Sequence, residues 1–128
     1  MNAAYEAYKA RRHQIEAEKT EARRTQLEAR MQRSAEREQW ITAVQTALRP
    51  FEHSGFRVSP HRDDLWIVIN GRRFDIVVAW GVRDRDAEPR WLARICIGGE
   101  STWQECDDLE KFPEWFGNWV AEAVEKHK

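Results

Sequence analysis

The dipeptide Asn70-Gly71 leaves the chain around it little choice. Both residues tolerate a positive φ, and the type I′ turn that closes a two-residue hairpin demands one at each central position. Period-two alternation flanks the pair, over Leu65–Ile69 on one side and Arg72–Trp80 on the other. A two-residue loop sets the register, so Ile69 faces Arg72, Ile67 faces Phe74 and Leu65 faces Ile76. One face of the hairpin then reads Leu65, Ile67, Ile69, Phe74, Ile76, Val78 and Trp80, which is a core face. Trp66, Val68, Arg73, Asp75, Val77 and Ala79 share the other face, mixing apolar and charged groups.

Further strands extend the hairpin. Gly55–Val58 is a short candidate before it, and residues 81–89 form a charged loop after it. Arg90–Ile97 alternates again, with Trp91, Ala93, Ile95 and Ile97 on one side and Arg90, Leu92, Arg94 and Cys96 on the other. Gly98-Gly99 turns the chain into a short strand around Thr102–Glu105. The ending is helical. Asp107 with Glu110 resembles a capping box, and Pro113 suits a first helical turn. Trp115, Phe116, Trp119, Val120, Ala123 and Val124 follow as an apolar stripe at helical spacing.

Composition divides the chain near residue 39. Residues 1–39 hold nine Lys or Arg and seven Glu, with no Gly, Pro or Asp. Ala, Glu, Arg, Gln and Lys dominate them, and these side chains lose little rotamer freedom in a helix. Large apolar residues are sparse, so this helix lacks a face wide enough to dock on a core. Residues 40–128 contain all seven Trp, six Gly and four Pro and form the globular part. Helical periodicity crosses the boundary through Trp40, Ile41, Val44 and Leu48, and Pro50 is expected to stop the helix near Arg49. The expected fold is α+β: an antiparallel β-meander of four to five strands, a C-terminal helix and a long charged N-terminal helix. Domains are 1–39, a charged helical extension, and 40–128, a small globular domain.

The first helix segregates its charge. At 100° per residue, Lys9, Arg12, Lys19, Arg23, Arg30, Arg33 and Arg37 fall within an arc of about 120°, and six of the seven Glu fall outside it. A net charge of −1 therefore hides a basic stripe. Such a stripe suits an acidic protein surface, or a phosphate backbone with Tyr5 and Tyr8 as stacking platforms. It is also what a self-solvating helix looks like, with ordinary pairs such as Arg12–Glu16. A coiled-coil seam through Tyr8, Ile15, Ala22 and Ala29 is weak, because Arg12, Lys19 and Gln26 occupy its companion positions.

The mixed sheet face is the second candidate surface. Trp66, Arg73 and Arg94 on it are typical of interfaces if both helices cover the opposite face. If one helix covers it instead, Asp75 simply pairs with Arg73 or Arg94. Trp40, Trp80, Trp91, Trp115 and Trp119 are assigned to packing, leaving Trp66 and Trp103 as the tryptophans to watch.

Chemistry is poorly represented. Cys96 and Cys106 lack the paired spacing of a zinc ribbon, and His53 and His61 are isolated. Cys96 reads as a buried small hydrophobe. No Ser or Cys sits in a nucleophile elbow, and Gly98-Gly99 is not a phosphate loop. A metal-dependent nuclease would need a lysine beside its carboxylates, and none accompanies Asp63, Asp64 or Asp75. No apolar run is long enough to span a bilayer, and the N-terminus lacks a secretory signal's apolar stretch, so a cytoplasmic location is expected.

These features predict a protein without enzymatic activity, cofactor or metal, which binds a larger partner with an acidic surface. The residues assigned to that contact are Lys9, Arg12, Lys19, Arg23, Arg30, Arg33, Arg37, Trp66, Arg73 and Arg94. Small solitary proteins of this plan often serve as adaptors, or as inhibitors encoded by phages and other mobile elements. The alternative is sequence-independent nucleic-acid binding through the same stripe.

Overall fold

The computed structural model describes residues 2–82, 88–97 and 103–128, without the side chain of Trp103. The elements are α1 (Ala3–His53), β1 (Arg57–His61), β2 (Asp64–Ile69), β3 (Arg72–Gly81), β4 (Arg90–Ile97), β5 (Trp103–Cys106) and α2 (Phe112–Lys126). The strands form one antiparallel sheet in the order β1-β2-β3-β4-β5, so the meander has five strands. The core of the expected charged loop, the Gly98-Gly99 turn and Thr102 lie outside the described residues. The chain divides into two compact units, Met1–Ala35 and Glu36–Lys128.

In the first unit, Asn2 caps the helix. Its side-chain Oδ1 accepts the Tyr5 N–H at 3.1 Å, and its carbonyl accepts the Glu6 N–H at 3.1 Å. The first contact satisfies one of the four amide donors a helix start leaves open, and the second is the helix's first regular bond. Every described side chain here is exposed except Ile15, which is partly covered.

In the second unit, Trp40, Ile41, Val44 and Leu48 are the buried residues of α1. The helix ends at His53, four residues beyond the expected stop, because Pro50 is accommodated inside the last turns. Proline deletes only the amide that would reach the Thr46 carbonyl, and Thr46 is exposed to solvent. Termination falls instead to Gly55, whose φ of +92° suits a left-handed cap. The Phe51 carbonyl accepts the amides of Ser54 and Phe56 at 3.1 Å each. The Phe51 and Phe56 rings meet edge-on at 5.5 Å, the apolar contact that accompanies such a cap. Gly55 and Phe56 are therefore cap rather than strand, and β1 begins at Arg57.

The central hairpin adopts the expected turn, with φ of +51° at Asn70 and +82° at Gly71. Ile69 pairs with Arg72 and Ile67 with Phe74, as the two-residue loop requires. The Asn70 amide Nδ2 also donates to the Val124 carbonyl at 2.9 Å, tying the turn to α2. At the start of α2, Pro113 occupies the first turn as expected. Asp108, rather than Asp107, accepts the local amides: its Oδ1 takes Glu110 N at 3.1 Å and Lys111 N at 3.3 Å. Asp107 is drawn away to Arg90, 3.6 Å distant.

Both helices of this unit bury their apolar stripes on the same sheet face. Trp40, Val44 and Leu48 of α1 join Phe112, Phe116, Val120 and Ala123 of α2 against Leu65, Ile67, Ile69, Phe74, Ile76, Ala93, Ile95 and Cys106. Ring contacts knit the layers, with Trp40 5.8 Å from Phe112, Phe51 5.5 Å from Phe116 and Phe74 5.1 Å from Trp119. Each fully buried side chain of this set is worth about 1.5–3 kcal/mol. Cys106 is buried in the core, whereas Cys96 lies half-buried on the opposite face. Trp80, next to the last residue of β3, keeps 40% of its surface exposed.

The edges of the sheet differ. β1 carries Pro60, which offers no ladder donor, and Gln45 of α1 donates to the Pro60 carbonyl at 2.9 Å. β5 pairs only with Ala93–Cys96 of the longer β4. Among the described residues no helix is long and apolar enough to cross a membrane.

Candidate functional site

The sheet face opposite the helices carries Trp66, Val68, Arg73, Asp75, Val77, Ala79, Leu92, Arg94 and Cys96, as the pairing register dictates. Arg73 is its organising group. The guanidinium pairs with Asp64 Oδ1 through Nη2 and with Asp75 Oδ1 through Nε, both at 3.0 Å. It also lies 4.9 Å from the centre of the Trp66 ring. The indole Nε1–H of Trp66 donates to Asp64 Oδ2 at 2.9 Å, so one carboxylate holds both the arginine and the ring it covers. Cation–π and charge-assisted contacts of this kind hold the patch in one arrangement. Two carboxylates face one guanidinium, so this patch contributes shape more than positive charge.

Arg94 occupies the other half of the face. Its Nε lies 2.9 Å from Glu105 Oε1, with both side chains largely shielded from solvent. Its backbone stands opposite Val77, while its Nη2 comes within 3.1 Å of the place a Cβ on Gly81 would take. The side chain therefore runs along the sheet past the Ala79–Leu92 pair, and Leu92 is fully buried. Glycine at position 81 gives the guanidinium room. Val77 remains 45% exposed between the two arginine patches.

Burial is the main cause that pushes the Cys96 thiol above its ordinary range, and the nearby Asp75 charge adds to it. Its Sγ approaches the Asp75 carbonyl at 3.8 Å. Such a thiol stays protonated and is a poor nucleophile. Among the described residues, no three His, Cys, Asp or Glu side chains are grouped to hold a metal ion.

The first unit presents the basic stripe, and its members differ. Lys9 pairs with Glu6 at 3.3 Å and stands 5.0 Å from the Tyr5 ring. Arg12 pairs with Glu16 at 3.1 Å, and Lys19 approaches the same carboxylate at 3.8 Å. Arg33 is also engaged. Arg23 and Arg30, one heptad apart, form no ion pair or hydrogen bond through their side chains with any described residue. Tyr5 and Tyr8 are exposed and stacked on each other, their centroids 6.3 Å apart.

Arg37, in the second unit, lies 6.0 Å from the Trp91 ring, and Trp91 meets Trp80 edge-on at 5.4 Å. Trp91 packs against the core as periodicity assigned it, whereas Trp80, 40% exposed, and Val82, 45% exposed, reach the surface. The signal available was position: Trp80 stands one residue from the end of its strand. Trp66, Arg73 and Arg94 thus share one face, whereas Lys9 through Arg33 belong to the first unit. Comparison with known proteins finds no matching family model, curated protein or solved structure.

Proposed function

We propose that this protein is a non-enzymatic interaction module, a cytoplasmic adaptor or inhibitor that binds a larger protein. The observation that carries the reading is the placement of both helices on one face of the sheet. The opposite face keeps Trp66, Arg73, Val77 and Arg94 in an ordered, partly apolar surface rimmed by ion pairs. Buried aromatic and arginine anchors of that type carry most of the binding energy at protein interfaces. Lys9, Arg12, Lys19, Arg23, Arg30, Arg33 and Arg37 add long-range attraction to an acidic partner, which raises association rates more than affinity.

The test compares capture by the full chain, by a chain lacking residues 1–39, and by a double variant, Arg73→Glu with Val77→Glu. Both changed side chains are exposed, and circular dichroism with thermal melts checks that the variant is folded. Arg94 is left unchanged because its largely shielded side chain is paired with Glu105. A partner retained by the full chain and lost by both altered forms supports the reading. Capture that survives both changes refutes it.

A second reading, sequence-independent nucleic-acid binding, draws on the uncompensated Arg23 and Arg30. Seven phosphate contacts would make log affinity fall against log salt with a slope of about −6. Anisotropy titrations of labelled oligonucleotides at several salt concentrations measure that slope. A shallow slope, or no binding at low salt, removes this reading.

A further inference from the structure

Where α2 ends, the core face of the sheet is incompletely covered. A groove of about 340 Å³ opens there, between the last turns of the helix and strands β3–β5. Its lining is mixed: Phe74, Ile97 and the indole of Trp119 form the apolar part, beside Gln104 and His127. The Phe74 ring lies between Trp119, at 5.1 Å, and the His127 imidazole, at 5.3 Å. Among the described residues the groove is lined by two cations, Arg72 and Lys126, and by one carboxylate, Glu122.

The two cations have different standing. Lys126 in the last turn of α2 complements the carbonyl end of the helix, an ordinary role at that position. Arg72 lies on β3 and has no such reason to be there. Neither side chain forms an ion pair with another described residue. A guanidinium with no ion-pair partner among the described residues, beside aromatic rings, suits a ligand with a flat apolar body and an anionic end. Arginine matches a carboxylate with two parallel hydrogen bonds. Glu122 on the rim disfavours a dianion, which sets a carboxylate above a phosphate monoester. The volume sits at the lower end of small-molecule sites and holds one or two fused rings.

We propose that this groove binds a small aromatic carboxylate, its ring against Trp119 and its carboxylate held by Arg72 and Lys126. The ligand is a free metabolite-sized molecule, so the site is independent of the protein-docking surface on the opposite face of the sheet.

The experiment titrates the full-length protein with 2-naphthoate and, in parallel, with the neutral 2-naphthamide. Indole N–H resonances report binding, with that of Trp119 assigned through Trp119→Phe. The carboxylate is expected to bind about tenfold more tightly than the amide and to shift the Trp119 resonance saturably. The double variant Arg72→Ala with Lys126→Ala, both exposed positions, should keep its spectral dispersion and lose that preference. Equal binding of acid and amide overturns the proposal. So does a preference that survives in the double variant, or the lack of a saturable shift at Trp119 up to millimolar ligand.

Discussion

Glu38 of α1 and Arg62, in the turn between β1 and β2, form a two-pronged ion pair on the surface of the second unit. The hydrogen bond from Arg62 is the main cause that holds the Glu38 carboxyl below its ordinary value of 4.5. A depressed carboxyl stabilises the fold above its unfolded pKa, and that contribution is lost as pH falls through the folded one. Glu38→Gln should therefore lower the melting temperature slightly at neutral pH, and the difference should close below about pH 4.5, measured by thermal melts across pH. Both side chains keep close to half of their surface in water, so screening keeps the effect small. Cys96 offers a second check. With its thiol held in the neutral form, alkylation by iodoacetamide at pH 8 should run several-fold slower than for a free cysteine, as mass spectrometry would show. Neither property was legible in the sequence, where Cys96 looked like the buried cysteine. The alternating face was right, but only the position of the helices tells which face is dry.

Elements were more legible where a signal is local. Asn70-Gly71 specified its turn because φ preference belongs to the residues themselves. Gly71→Ala meets open space, so it pays only for the left-handed backbone, about 1 kcal/mol, readable in urea unfolding. Pro50 misled, because a proline in the last turns costs one amide bond while the cap at Gly55 and Phe56 ends the helix. Asp107 and Asp108 are equally good cap residues on paper, and Arg90, far away in sequence, takes the first of them. The groove beneath Arg72 and Lys126 was invisible for the same reason, since its parts come from elements about fifty residues apart. On the mixed face, two alternatives proved compatible: the helices leave it uncovered, and Asp75 does pair with Arg73.

Across the whole chain, every buried side chain of the core belongs to the second unit. Removing residues 1–35 should leave the melting temperature of the remainder within about 2 °C of the full chain, by calorimetry. An isolated peptide of residues 1–35 should be only partly helical, since short charged helices gain little without packing. Charge on that helix follows from sequence spacing alone. Which arginines remain uncompensated does not, because each depends on the rotamers of neighbouring glutamates.

The order β1-β2-β3-β4-β5 carries one more consequence. Each strand joins the one that precedes it, so no pairing has to wait for a distant segment to arrive. Loop-closure entropy is small at each step, and the largest closure brings the two helices together over a sheet that grows by neighbour addition. Refolding from denaturant should follow a single phase on the order of milliseconds, by stopped-flow fluorescence. In a cell, that speed means the edge of β4 that β5 later covers is exposed only briefly in a half-made sheet.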